Sequence, residues 1–186
     1  MPKHTTLAVL ACAGAALALP GSASAEETDC RSTLGARAVD NVRVPDGATC
    51  ELRGTRVKGT VKVESGATLR AFGVRVAGNV QGENARVVAV RSGSRVGGSV
   101  QVKQGVSARV SRSVVKGDIQ FDENAGRMRA NRNEVGGSIQ IVGNDGAATI
   151  RLNRVDGNLQ CKENDPAPVG GANRVDGNKE DQCAAL

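Results

Sequence analysis

The sequence predicts an all-β fold: a single-stranded parallel β-helix, or β-solenoid, with coils of 19–20 residues. A strand-forming motif recurs seven times, as VKGTVKV (57–63), VAGNVQG (76–82), VGGSVQV (96–102), VKGDIQF (115–121), VGGSIQI (135–141), VDGNLQC (155–161) and VDGNKED (175–181). Its glycines, Gly59, Gly78, Gly98, Gly117, Gly137, Gly157 and Gly177, are spaced 19, 20, 19, 20, 20 and 20 residues apart. Most copies read V-x-G-x-[VIL]-x-[VIF], the period-two alternation of a strand with one buried face. Beyond the first 25 residues no i, i+3, i+4 apolar stripe marks a helix. A unit this short buries its apolar face only by stacking on its neighbours, so the repeats form one solenoid. Right-handed coiling is the expectation for parallel strands joined by crossovers.

The parts follow in chain order. Residues 1–25 read as an export signal: Lys3 supplies the positive start, Thr5–Leu19 is the apolar run, and Ala23-Ser24-Ala25 matches the small-x-small cleavage pattern. Acylation at Cys12 is the rival reading, but the apolar run continues past it. The run is too short to span a bilayer and no later segment is apolar enough, so the mature chain from Glu26 carries no integral membrane segment. Residues 26–56 form an N-terminal cap and the first coils, 57–174 the β-helix repeats, and 175–186 a C-terminal cap.

In the repeats, Val61, Val80, Val100, Ile119, Ile139 and Leu159 stack as one core ladder, beside a valine ladder from Val57 to Val175. A turn ladder takes Gly66, Gly105, Asn124, Asn144 and Asn164, chosen as residues that tolerate positive φ. A second turn carries Asn133, Asn153 and Asn173, whose amides bond between coils. The last copy places Lys179 and Asp181 where the core ladder would continue, which ends the stack and blunts the open edge.

Four cysteines remain after cleavage, an even number in an exported chain. Cys30 and Cys50 are 20 residues apart, and Cys161 and Cys183 are 22 apart, each about one coil. Adjacent coils are close enough to bridge, whereas the two ends of the rod are not. The pairing is therefore Cys30–Cys50 and Cys161–Cys183. A four-thiolate zinc site fails on the same geometry and lacks a C-x-x-C.

Composition narrows the function classes. Loss of Lys3 takes the net charge from +6 to +5, without a dense basic run, so nucleic acid is not an expected partner. With no Trp, no Tyr and two Phe, platforms for stacking bases or sugar rings are scarce. The single His leaves with the signal, and no nucleophile motif or acid–base histidine remains. No cofactor and no metal are expected.

The closing run GNLQCKENDPAPVGGANRVDGNKEDQC resembles the C-terminal signature of uncharacterised secreted bacterial proteins built of G-[NDS]-[IVL]-Q units. That resemblance covers roughly residues 55–183 and implies the fold and an exported location, with no activity attached. The V-x-G-[NSD]-[VI] units are also similar to bactofilins, polymer-forming cytoskeletal β-helices, from which the signal peptide and disulfides depart.

Three surface features remain as candidates. Gln81, Gln101, Gln120, Gln140 and Gln160 form the most regular outward row; they read first as tiles of an exposed strand, bonding amide to amide between coils, and otherwise as a binding face for a polymer or a second copy of the chain. Arg56, Arg75, Arg95, Arg154 and Arg174 form a partial basic row that could meet anionic glycans, though exposed arginine commonly serves to keep a rod soluble. Asp156 with Asp176, and Asp145 with Asp165, occupy equivalent positions in adjacent coils. Stacked acids are what a polysaccharide-cleaving β-helix needs, since close like charges push two carboxyl pKa values apart. Asp122 and Glu123, with Asp145 and Asp165, are the oxygen donors a calcium ion would use. Short units without insertions make no walls for a cleft, and these acids read better as solvated turns. The expectation is a secreted, non-catalytic structural or interaction module of the cell surface or extracellular space. A polysaccharide-binding or polysaccharide-cleaving β-helix is the alternative, with an envelope or extracellular polysaccharide or a surface protein as partner.

Overall fold

A computed structural model describes residues 26–186. The export signal and its Ala25 cleavage site lie outside the described residues. The described chain contains strands and turns, and no helix is long and apolar enough to cross a membrane. Every paired strand is parallel to its neighbours, in three sheets of nine, eight and eight strands. Each coil contributes one strand to each sheet in turn. The first sheet runs from Glu27–Asp29 to Lys179–Asp181, the second from Thr33–Leu34 to Val169–Gly171, and the third from Ala38–Val39 to Arg174–Val175. Nine strands at about 4.8 Å make a rod roughly 40 Å long.

The alternation read from the sequence is the alternation observed. In Ile119–Asp122, Ile119 and Phe121 are fully buried and Gln120 points outward. The register joins Val61, Val80, Val100, Ile119, Ile139 and Leu159 in one buried row. At Gly82 the missing side chain is replaced from across the core. A Cβ there would sit 2.7 Å from Val88 Cγ2.

What fixes one coil on the next is a polar ladder at each corner. Between the first and second sheets stand Asn124, Asn144 and Asn164, all buried. Asn124 Nδ2 donates to Asn144 Oδ1 (2.9 Å) and Asn144 Nδ2 to Asn164 Oδ1 (2.8 Å). The same oxygens accept from the backbone N–H of the preceding coil's Asn, at 2.8 and 3.2 Å. The sequence reading of these residues therefore needs correction. Among the later members, positive φ falls one residue earlier, on Gln104, Glu123, Gly143 and Glu163, while Gly66 does adopt it. Asn is required here because its amide donates and accepts in a dry corner, satisfying itself and its neighbour.

The second corner, between the second and third sheets, repeats the device with Asn133, Asn153 and Asn173. At the third corner the residue after each repeat glycine accepts a backbone N–H from the next coil. Ser99 N–H donates to Asn79 Oδ1 (2.8 Å), Asp118 N–H to Ser99 Oγ (2.9 Å), and Ser138 N–H to Asp118 Oδ1 (2.7 Å). This explains the glycines. A Cβ on Gly137 would lie 2.2 Å from Asp118 Oδ1. The G-[NDST] pair is thus a close approach plus an acceptor.

Both disulfides form as the spacing predicts, with Cα atoms 5.4 Å apart for Cys30–Cys50 and 5.1 Å for Cys161–Cys183. All four cysteines are buried in the core. Two such bridges suit an oxidising setting. Lys179 and Asp181 pair in register with Leu159 and Cys161 but stay exposed, so the core row ends there. Gln182 then takes the place of the next Asn. It accepts from Asn164 Nδ2 (3.0 Å) and Asn164 N–H (3.0 Å), and donates to Asn164 O (2.9 Å).

The ladders give a contrast to measure. Asn144→Ala removes the buried acceptor of both Asn124 N–H and Asn124 Nδ2, and is expected to cost on the order of 3 kcal/mol. Gln120→Ala, outside the core, should cost under about 1 kcal/mol. Denaturant midpoints of the two variants check the difference. Acid should act first at the N-terminal end. Arg43 holds Asp29 below the usual carboxylate range, and Lys58 with the Glu26 N–H does the same for Asp40. A depressed folded pKa contributes stability above the unfolded value, lost as pH falls through the folded one. Hydrogen exchange between pH 5 and 2 is expected to show residues 27–43 losing protection before the later coils.

Candidate functional site

The three sheets present three different faces. On the first, Gln81 Nε2 donates to Gln101 Oε1 (3.1 Å), Gln101 to Gln120 (2.6 Å) and Gln120 to Gln140 (2.9 Å). Gln160 continues the register beside Gln140. The amides satisfy one another along the row, as an outward Gln ladder on a parallel sheet does. A groove of about 500 Å³ follows Gln81 and Gln101, flanked by Lys62, Glu64, Glu83 and Lys103. Its charges are mixed. Burial pushes Asp122 above the usual carboxylate range, opposed by Lys103 and seconded by Glu123.

The acid pairs lie on the surface of the rod. Asp156 and Asp176 are exposed, and Arg154 reaches both, at 3.7 and 3.4 Å. The Arg154 guanidinium thus stands within ion-pair reach of both carboxylates. Asp145 and Asp165 are exposed turn residues whose N–H groups donate to Asn124 O and Asn144 O. Among the described residues, no three of His, Cys, Asp or Glu gather closely enough to hold a metal ion.

On the third sheet Arg56, Arg75 and Arg95 stack in register, with Val114 and Glu134 before Arg154 and Arg174. The first three line a shallow groove of about 650 Å³ with Lys58 and Lys116.

The second sheet carries a basic surface that the sequence reading passed over. One outward row runs Glu51, Arg70, Ala89, Arg109, Arg129, Thr149, and the next runs Arg53, Phe72, Arg91, Ser111, Asn131, Arg151. The five strands from Thr68–Phe72 to Ala148–Arg151 contain no acidic residue. The Arg53 and Arg91 guanidiniums lie over the Phe72 ring, 5.0 and 4.6 Å from its centre. The signal in the sequence was the absence of acids from every third strand, from Thr68–Phe72 to Ala148–Arg151. It was hidden because arginine alternates between two rows and holds no fixed place in the repeat.

Compared with known protein families, curated proteins and solved structures, the chain matches none. Its function must therefore be argued from these faces. Substituting Asp156→Asn and Asp176→Asn together should shift the melting temperature by no more than about 2 °C, because exposed ion pairs contribute little. A larger loss on calorimetry would assign them a structural role.

Proposed function

We propose that this protein is a secreted, non-catalytic β-solenoid serving as a rigid structural or interaction module of the cell surface or extracellular space. The observation that carries the reading is the locking of coil to coil by polar ladders, one along the whole third corner and two built of asparagine in the later coils. A rod built so holds its outward side chains at fixed, repeated spacing, which suits an extended partner better than a small substrate. The paired cysteines fit an oxidising compartment, and residues 1–25 read as the leader that takes the chain there. The likeness of its closing run to secreted bacterial repeat proteins points the same way. The basic rows favour a second reading, polysaccharide binding; cleavage by Asp156 and Asp176 has the intervening Arg154 against it.

Two measurements test the proposal. Expressed with residues 1–25 in place, the protein should leave the cytosol and begin at Glu26 by N-terminal sequencing; retention with Met1 intact overturns export. Incubation with a panel of neutral and acidic polysaccharides should leave their chain lengths unchanged on size-exclusion light scattering. Shortening of any polymer, abolished by Asp156→Asn with Asp176→Asn, overturns the non-catalytic reading.

A further inference from the structure

Among the described residues, the outward arginines of the second sheet other than Arg53 have no ion-pair partner on the rod itself. In its strands Glu51 is the one acid among the described residues, and it pairs with Arg53. Arg109 lies directly opposite Arg129 in the adjacent coil. Like charges opposed across a strand pair destabilise it. Buried polar atoms add to that cost, because Arg91 Nε, Arg109 Nε and Asn131 Oδ1 have no hydrogen-bond partner among the described residues. Arg91, Arg109, Arg112 and Arg132 line one cleft of about 220 Å³, with Ser111 and Asn131 as neutral donors and acceptors. Arg112 and Arg132 stand at positive φ on the corner beside it, just before buried Ser113 and Asn133. The corner ladder fixes where they stand, because Ser113 N–H donates to Asn133 Oδ1 at 3.2 Å.

We propose that this face is the docking surface for an acidic polysaccharide lying along the rod, one bearing carboxylate or sulfate groups on successive sugars. The proposal deepens the interaction-module reading and rests on it. Charge complementarity identifies the occupant. Guanidinium forks match carboxylate and sulfate oxygens in pairs, and Arg109 with Arg129 on the strands, like Arg112 with Arg132 on the corner, stand one coil spacing of about 4.8 Å apart. A regular polyanion meets such rows many times over, so weak contacts accumulate along its length. Single-stranded nucleic acid fits less well, since it needs exposed aromatic rings. Here Phe121 is fully buried and both Phe72-facing guanidiniums occupy its ring.

The test is retention of the full protein on immobilised polygalacturonate and dextran sulfate, with neutral dextran, duplex DNA and phosphatidylglycerol vesicles alongside. The triple variant Arg109→Gln, Arg112→Gln, Arg132→Gln is set against Lys62→Gln, Lys103→Gln, Lys162→Gln on the first sheet, an equal change of charge. Expected are binding to one or both acidic glycans, none to neutral dextran, and at least a tenfold loss in the arginine variant alone. Salt dependence should weaken with the arginines removed, because fewer counterions are released. The lysine variant should melt within about 2 °C of the parent and the arginine variant no lower than it, since Arg109 no longer opposes Arg129, which separates lost binding from lost folding. Equal losses in the two variants would reduce the effect to net charge and overturn the assigned face. Absence of retention, or tighter retention of DNA or vesicles, overturns the occupant. Shortening of a retained glycan would instead overturn the non-catalytic reading and leave the docking face standing.

Discussion

Each coil of this rod lies one strand spacing above the last, so every residue has its own equivalent as its nearest neighbour. That constraint governs everything else. A position is admissible only if it tolerates a copy of itself, or a suitable relative, at about 4.8 Å. Valine and isoleucine pass the test by packing, and fill the interior rows from Val42 to Leu159. Asparagine passes it at the corners, because one amide oxygen accepts while the nitrogen donates onward. Serine, threonine and aspartate pass it at the third corner as acceptors for the next backbone N–H. Buried polar groups left unpaired would cost more than the ladders contribute, so each corner polar group has a partner, and Thr55, followed by the apolar Val74, donates instead to Leu34 O and Gly35 O.

The same constraint defines the ends. A repeating ladder has no natural stop, and the last member always faces a missing neighbour. At the C-terminus the chain supplies one by hand: Gln182 completes the Asn164 row, Cys183 is tied to Cys161, and Leu186 packs against the core. The N-terminus uses Cys30–Cys50 and the bidentate Arg43–Asp29 pair, 2.8 and 3.0 Å long, on the first two strands of the sheet. Open parallel edges recruit other chains, and these closures limit that.

Outside, the constraint becomes a way of reading function. The glutamine row resolves its own hydrogen bonds and asks for nothing further. Stacked arginines do not resolve themselves. Arg109 over Arg129, and Arg56 under Arg75 and Arg95, raise the energy of the isolated rod, and the second sheet offers no acids in compensation beyond Glu51. Such rows are the ground for the proposed acidic partner, whereas the more regular glutamines describe the repeat itself.

The sequence by itself determined the period, the strand alternation, the buried ladder, the two disulfides and the place where the core row stops. These are properties of spacing, and spacing is written in one dimension. The tertiary structure decided what each corner residue does. Asn124 and Asn144 read as turn formers in isolation, yet their backbone is ordinary and their amides serve the neighbouring coil. It also decided which charges share a face. Arg91, Arg109 and Arg132 stand 18 and 23 residues apart, off the repeat period, and meet only because the coil folds two strand rows and a corner onto one cleft. Lateral neighbours across a sheet are set by register and by the corner's turn, and neither is legible until the coils are stacked.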